Sequence, residues 1–431
     1  MARMKNLVRD VSVLAEKVNT CTRCGTCQAV CPLYARTRKE ADVSRGKLSL
    51  LQGLMDAMFS DARGVNQRLQ HCLLCGACQH NCPSGVKTQE IFILARSIIT
   101  RYLGLPLSQK LVFKGLLARP EIFNRVSRMA AAFQPYLFRP QDNVQGTSCA
   151  RVASPLLRHR HITPLTQTPF HGLPKQEIRG KGIRVSFFTG CLIDKAFPDI
   201  ALDVLDVLDH YDARVFVPEN QGCCGIPALA AGDMETFDTL VRTHVDLFSA
   251  QKSDYLVTAC ATCSSTIIKL WPTLMKERVA PDQLAKIEEI AQKTVDISWL
   301  LARRFRLPTA TETADPAKQV TYHDPCHLKK SLDIHEEPRQ VLRAAGLDLV
   351  EMDRADACCG MGGSFNLKHY DRSAQIGADK ARAIADTKVS TVATSCPACM
   401  MQMADMTAAQ GLDVKIIHPV QALAQALKKG S

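Results

Sequence analysis

Residues 222–232 read GCCGIPALAAG and residues 357–366 read ACCGMGGSFN. Each stretch sets two adjacent cysteines before a glycine, and the match extends outward on both sides. Cys191 and Cys326 precede the pairs, while TACATC at 258–263 and TSCPAC at 394–399 follow them. Cys191, Cys223 and Cys224 lie 135 residues before Cys326, Cys358 and Cys359 (326 − 191, 358 − 223, 359 − 224), and Cys260 and Cys263 lie 136 before Cys396 and Cys399 (396 − 260, 399 − 263). An offset kept at five positions marks a duplicated module. Gly225 and Gly360 follow the vicinal pairs, where a positive φ or a close backbone approach would exclude a Cβ.

Apolar, β-rich segments end at the cysteines: 183–188 before Cys191, 255–258 before Cys260, 320–322 before Cys326 and 389–394 before Cys396. Amphipathic helical periods lie between them, near 199–210, 234–250, 337–345 and 373–385. This alternation predicts two α/β modules with ligands at the strand carboxyl ends, paired about a pseudo-twofold axis. Five cysteines per module exceed the four that a cubane or a zinc ion takes. The fifth implies a bridging thiolate, an unusual cluster or a cysteine that performs chemistry. A disulfide within the vicinal pair is a poor alternative, because adjacent Cα atoms stand only about 3.8 Å apart.

The first hundred residues carry a second repeat. CTRCGTCQAVCP at 21–32 supplies Cys21, Cys24, Cys27 and Cys31 before Pro32, and CLLCGACQHNCP at 72–83 supplies Cys72, Cys75, Cys78 and Cys82 before Pro83. This spacing resembles the bacterial ferredoxin run, whose fourth cysteine ligates the other cluster. By that crossing, one [4Fe-4S] cubane takes Cys21, Cys24, Cys27 and Cys82, and the other takes Cys72, Cys75, Cys78 and Cys31. Zinc leaves the third evenly spaced cysteine of each run unexplained. Helical periods over 43–59, with Ser44 as a candidate cap, and over about 88–103 make residues 1–103 similar to the α-helical ferredoxin domain of succinate dehydrogenase iron–sulfur subunits.

Composition bounds the rest. A chain of 431 residues, 46% hydrophobic, is long enough for several domains with real cores. Its 19 cysteines, clustered as they are, read as metal ligands rather than staples. The formal charge of +12 counts every cysteine as neutral, and metal-bound thiolates would remove much of the excess. Nucleic acid is therefore not expected as a partner, and no binding signature for it is present. The N-terminus has no long apolar run and the chain has no membrane-spanning stretch, so a cytoplasmic protein is expected, with peripheral contact at the inner face of the membrane left open. Between Arg96 and Arg139 stand eight Lys or Arg against the single acid Glu121. Within this stretch Ile122, Phe123, Val126, Met129, Ala130 and Phe133 form a helical stripe, expected to pack on the next domain; an anionic membrane surface or a partner is the alternative. Residues 140–182, rich in proline, read as a linker containing a free Cys149 and His159, His161 and His171 without ligand spacing.

A lone cysteine, a CCG triplet about thirty residues on and a C-x-x-C beyond it resemble the cysteine-rich CCG domain of heterodisulfide reductases. With the ferredoxin run in front, and with FFTGCLID, CCGMGGSFN and SCPACM, the chain resembles the iron–sulfur subunits of glycolate oxidase and D-lactate dehydrogenase. The resemblance implies an α+β multidomain fold: a ferredoxin domain (1–103), a basic connector and linker (104–182) and CCG modules at 183–310 and 311–431. It also implies one or two further [4Fe-4S] clusters, of non-cubane type where held by all five cysteines of a module (Cys191, Cys223, Cys224, Cys260, Cys263; Cys326, Cys358, Cys359, Cys396, Cys399). His323 and His327 flank Cys326 and read as neighbours of a cluster rather than ligands. No GxGxxG fingerprint or P-loop is present, so no flavin is expected in this chain and a separate FAD subunit is implied. The expected function is electron transfer between that subunit and an acceptor such as quinone. The alternatives are a heterodisulfide-reductase-like catalyst and an anaerobic glycerol-3-phosphate dehydrogenase subunit.

Overall fold

The structure, a computed structural model, describes residues 2–140, 148–150, 160–173, 178–308 and 315–430. The side chain of Cys149 and the whole of His159 lie outside this description. The connector contributes a ribbon of three antiparallel strands, β1 (Phe138–Pro140), β2 (Ser148–Ala150) and β3 (His161–Ile162), and β4 (Ile178–Arg179) leads into the first module.

In the first module β5 (Arg184–Phe188), β6 (Arg214–Phe216), β7 (Tyr255–Thr258) and β8 (Thr294–Asp296) pair in parallel in the order β6-β5-β7-β8, with β4 antiparallel at the β6 edge. In the second, β9 (Gln319–Tyr322), β10 (Asp348–Leu349), β11 (Thr391–Ala393) and β12 (Lys415–Ile417) repeat that order as β10-β9-β11-β12, again in parallel. The central strands are buried on both faces, as in Val185 to Phe188 and Val320 to Tyr322, which is what helices packed on both sides of a parallel sheet require. The chain is thus a mixed α/β protein with two copies of one α/β module behind a helical N-terminal unit. The segment expected at 389–394 shortens to β11, and the brief strands β6, β8, β10 and β12 carry too few residues to show a periodicity.

Contacts between the modules are exchanged. Helix Pro198–His210 of the first packs on the C-terminal helix Pro419–Gly430, and helix Ile297–Arg304 packs on Glu336–Ala344 of the second. Helix Ala261–Ser265, just after Cys260, packs on Cys326–Leu332, and Gly190–Ala196 packs on Pro397–Ala409. The Ala261 amide donates to the Ser395 carbonyl at 2.9 Å.

In the N-terminal unit, helices Ala2–Asn19, Ser44–Met55, Ala62–Gln70 and Thr88–Leu103 surround the two cysteine runs. The helix expected at 88–103 is present, whereas the one expected over 43–59 runs only Ser44–Met55 and leaves Met58 and Phe59 exposed beyond it; Val43 is the cap residue, and Ser44 is the first helical residue with its buried hydroxyl unpartnered. Helix Thr88–Leu103 joins this unit to the first module through a buried guanidinium. Arg96 donates to the carbonyls of Leu69, Cys72 (2.9 Å) and Ala230 (2.7 Å). At Gly232, φ is +88° and a Cβ would fall 2.5 Å from the Arg96 carbonyl oxygen, so only glycine lets the helix come this close.

Two expectations about the connector are overturned. Helix Pro120–Leu137 buries Asn124, Ser127 and Ala131, while Ile122, Val126, Met129 and Phe133 of the apolar stripe face outward and only Phe123 is half-buried. Helical periodicity identifies an apolar face but not what covers it. The described part of the proline-rich stretch is a strap rather than a free linker: Arg160 donates to the Asn366 carbonyl at 2.8 Å, the His161 amide donates to Asp405 at 2.8 Å, and His171 Nδ1 stands 2.7 Å from Asp194.

Replacing Arg96 with alanine leaves three buried carbonyls without their donor. The expected loss is on the order of 3 kcal/mol of unfolding stability, read as a denaturant midpoint shift on anaerobically purified protein.

Candidate metal centres

The eighteen described cysteines are free thiols. Cys21, Cys24, Cys27 and Cys82 line one small cavity, with Cys78 also at its wall. Cys31 lies with Cys72, Cys75 and Cys78, the set expected from the crossed spacing. Left-handed glycines turn the chain within the runs, Gly25 at φ +90° and Gly76 at φ +72°. Backbone amides donate to sulfur at Cys31 (Tyr34, 3.4 Å), Cys72 (Leu74, 3.5 Å) and Cys82 (Val86, 3.4 Å).

In each module the cysteines stand just beyond the carboxyl ends of the parallel strands: Cys191 after β5, Cys260 after β7, Cys326 after β9 and Cys396 after β11. Cys191 stands beside Cys223, Cys224 beside Cys263, and Cys260 beside Cys263. The second module repeats this with Cys326 and Cys358, Cys396 and Cys399, and Cys359 and Cys399, the last two sulfurs 3.4 Å apart. The second cysteine of each vicinal pair, Cys224 and Cys359, is held well below the usual thiol range by hydrogen bonds from two neighbouring thiols. Gly225 and Gly360 adopt φ +98° and +94° and each donates its amide to the first sulfur of its pair at 3.4 Å. A Cβ would fall 2.6 Å from the Phe237 ring at Gly225 and 2.6 Å from the Ser373 carbonyl oxygen at Gly360.

The four sulfur sets are not isolated. Cys75 stands beside Cys358, where the N-terminal unit meets the second module, and Cys260 stands beside Cys396, where the two modules meet. Thr262 of the first module reaches Cys396 Sγ at 3.5 Å.

Buried sulfur without a counter-charge stays protonated, and burial pushes Cys31 and Cys78 up to about 12. The same interior holds cations. Lys47, 1% exposed, faces Cys31 and Cys72, and burial lowers its ammonium pKa. Arg96 lies near Cys72, and Lys195 near Cys191. Lys330 stays above its ordinary range despite burial, because Cys75, Asp356, Cys326 and Cys358 surround it. Burial pulls Lys380 down to about 8 against the charges of Cys359 and Cys358. Unpaired, such charges would be expensive to bury; here sulfur compensates them, jointly with Asp194 at Lys195 and Asp356 at Lys330. All-sulfur donor sets, N–H donors aimed at sulfur and buried cations are what anionic iron–sulfur clusters need, and these residues fit them.

Sequence reasoning found no role for these lysines, and the one available signal was repetition: Lys195 and Lys330 each follow their module's first cysteine by four residues. It also underread His323. That ring is buried, its Nδ1 bonds the Ala355 carbonyl at 3.1 Å, and burial pushes its pKa down to about 3. Nε2 is buried with no hydrogen-bond partner, and a nitrogen of this ring lies within 4.8 Å of the Cys359 and Cys399 sulfurs. His327 is a bracket, bonding the Leu74 backbone and, at 3.1 Å, Thr262.

Together the fold and the sulfur sets define an iron–sulfur protein. The 4Fe-4S dicluster domain family matches residues 17–86, and the CCG family, described as Cysteine-rich domain, matches residues 185–268 and 320–404. The chain is similar to the "Probable glycolate oxidase iron-sulfur subunit" of Bacillus subtilis (strain 168), 28% identical over 99% of this chain and 97% of that protein. It is 25% identical to a dihydromethanophenazine:CoB--CoM heterodisulfide reductase chain of Methanosarcina acetivorans, over 98% of this chain and 96% of the other. The "Lactate utilization protein A" of Oceanobacillus iheyensis matches at 27%, over 56% of this chain and 96% of its own length. In this chain a 4Fe-4S dicluster domain precedes two CCG domains, the make-up of an iron–sulfur electron-transfer subunit, and the likeness to the subunit named for glycolate oxidase runs along its whole length.

Gly225→Ala and Gly360→Ala test the tight loops. Each puts a Cβ into occupied space at a left-handed φ, and each is expected to lose roughly 1–3 kcal/mol of stability, measured by thermal unfolding.

Proposed function

We propose that the chain carries electrons between an FAD-binding partner that oxidises a 2-hydroxyacid, of the lactate or glycolate class, and an acceptor such as a quinone. The observation that carries this reading is the unbroken succession of sulfur sets, linked at Cys78, at Cys75 with Cys358, and at Cys396 with Cys260. Relatives named for glycolate oxidase and for lactate utilization support the substrate class.

In this reading Cys21, Cys24, Cys27 and Cys82 hold one cubane and Cys31, Cys72, Cys75 and Cys78 the other. The five cysteines of each CCG module hold a further [4Fe-4S] cluster of non-cubane type. Bound there, the clusters supply one-electron carriage. The chain's own residues fix the spacing, donate N–H bonds to sulfur and neutralise charge through Lys47, Lys195, Lys330 and Lys380. The division into 1–103, 104–182, 183–310 and 311–431 follows these sets. A pseudo-twofold relation between the modules has the exchanged helix contacts in its favour, together with the meeting of the equivalent residues Cys260 and Cys396. The protein is placed in the cytoplasm, peripheral at the inner membrane face; among the described residues no single helix is long and apolar enough to cross a bilayer.

A second reading, a heterodisulfide-reductase-like catalyst, has the Methanosarcina relative on its side. Burial of Cys223, Cys224, Cys260, Cys263, Cys359, Cys396 and Cys399 gives a bulky disulfide poor access and favours the first reading.

Iron and acid-labile sulfide on anaerobically purified protein test the assignment: about sixteen iron per chain is expected, and about eight would leave the CCG modules without clusters. Cys31→Ser should alter the same low-temperature EPR signal as Cys72→Ser, and Cys82→Ser the same signal as Cys21→Ser. The opposite pairing refutes the crossed ligand sets. Reduction of the chain by lactate or glycolate in the presence of its flavin partner, and not without it, is the functional outcome expected.

Lys47→Met removes a cation beside Cys31 and Cys72. The midpoint potential of the centre those residues hold is expected to fall, as read by an EPR-monitored redox titration, because the reduced and more negative state loses its counter-charge.

A further inference from the structure

Helix Pro120–Leu137 is anchored by its polar side. Lys195 Nζ donates to Asn124 Oδ1 at 2.8 Å and lies 4.7 Å from the centre of the Phe123 ring. Pro120 lies 3.4 Å from where a Cβ on Gly222 would fall. The helix therefore rests on the loop that presents Cys223 and Cys224 and on helix Gly190–Ala196, which carries Cys191 and Lys195.

Its other side is apolar and open: Ile122, Val126, Met129, Phe133 (60% exposed), Tyr136 (78%) and Leu137. The helical segment 107–117 packs beside it and leaves Leu107 (83%) and Leu111 (71%) at the surface as well. Of the fifteen exposed large apolar side chains among the described residues, nine fall between 107 and 137. Such a concentration marks a surface that something covers. Charge indicates the occupant. Lys110, Lys114, Arg119, Arg125, Arg128 and Arg139 stand against Glu121 alone across 107–139. Lys114 is paired with Glu235, but among the described residues no carboxylate pairs with Arg119, Arg125 or Arg128. An apolar face rimmed by unpaired cations, on a helix that lies along the protein instead of leaving it, is the pattern of in-plane binding to an anionic bilayer.

We infer that the outward face of residues 107–137 is a docking surface for an anionic lipid bilayer, which brings the Cys191, Cys223 and Cys224 end of the sulfur succession to the membrane. This deepens the membrane placement proposed above and is independent of which hydroxyacid the partner oxidises.

Flotation of the full, iron-loaded chain with phosphatidylcholine vesicles, with and without phosphatidylglycerol, tests it. Retention on the anionic vesicles is expected to exceed retention on the neutral ones and to fall with salt. Arg125→Gln with Arg128→Gln should weaken it roughly 25-fold, at about fivefold for each cation removed. Met129→Ser with Phe133→Ser should abolish it, while iron content and EPR spectra stay those of the parent. Equal retention on both vesicles, or doubly substituted chains that bind as the parent does, would overturn the inference. So would a dimer that the same substitutions dissolve in a chain that no vesicle retains, because a second copy would then cover the face. If one variant pair loses iron, the other decides, since both alter exposed side chains.

Discussion

Anionic sulfur in a protein interior has to be neutralised, and that constraint organises this molecule. Four lysines and an arginine lie within reach of cysteine sulfur where ordinary folding would keep them in water. Lys47 is the sharpest case, because an ammonium only 1% exposed can be tolerated only if its charge is answered. Its bonds go to the Ala41 and Asp42 carbonyls, and the compensating charge is that of Cys72 and Cys31 together with the Asp42 carboxylate. The net charge of +12 then reads differently: part of the excess faces inward, toward sulfur that the formal count treats as neutral.

The same constraint explains why the units are packed so tightly. One-electron carriers pass charge only over short spans, so in the proposed relay the sulfur sets must meet at unit boundaries. Cys75 against Cys358 and Cys260 against Cys396 are those meetings, and both lie at junctions made by backbone. At one, His327 ties the Leu74 backbone to Thr262; at the other, the Ala261 amide bonds Ser395. Arg96 and Gly232 hold the N-terminal unit against the first module as well, so it is fixed to both copies of the repeat.

Much of this was legible in the residues. Five cysteine positions at a constant offset gave the duplication, and the topology β6-β5-β7-β8 against β10-β9-β11-β12 repeats it. The positive φ of Gly225 and Gly360 followed from their place after vicinal cysteines, because a side chain there has nowhere to go. What could not be read depends on partners distant in sequence. Lys47 and Lys380 look like surface lysines until Cys72 and Cys359 fold against them. The stripe of helix Pro120–Leu137 has the period of a core helix, and only the contacts of Asn124 and Ser127 show that its polar side is the one turned inward. Proline content suggested a free linker over 140–182, whereas single polar contacts at Arg160, His161 and His171 strap its described part to both modules.

The repeat is not a copy in its chemistry. At the offset of 135, Phe188 of the first module becomes His323 of the second and Leu192 becomes His327; at 136, His244 becomes Lys380. The first module therefore surrounds its sulfurs with Phe188, Trp271 and a neutral His244 whose Nε2 accepts from the Gly222 amide at 3.0 Å. Beyond Lys195 and Lys330, which the modules share, the second adds a further buried ammonium, Lys380, and the unpartnered His323 Nε2. A nearby cation favours the more negative, reduced state, and an apolar surround disfavours it. Duplication thus supplied two scaffolds of one shape, and substitution at two buried positions and one half-buried position set their electrostatics apart. Two centres that differ in this way can occupy successive steps of one relay, whereas two identical ones would give electrons no preferred direction between them.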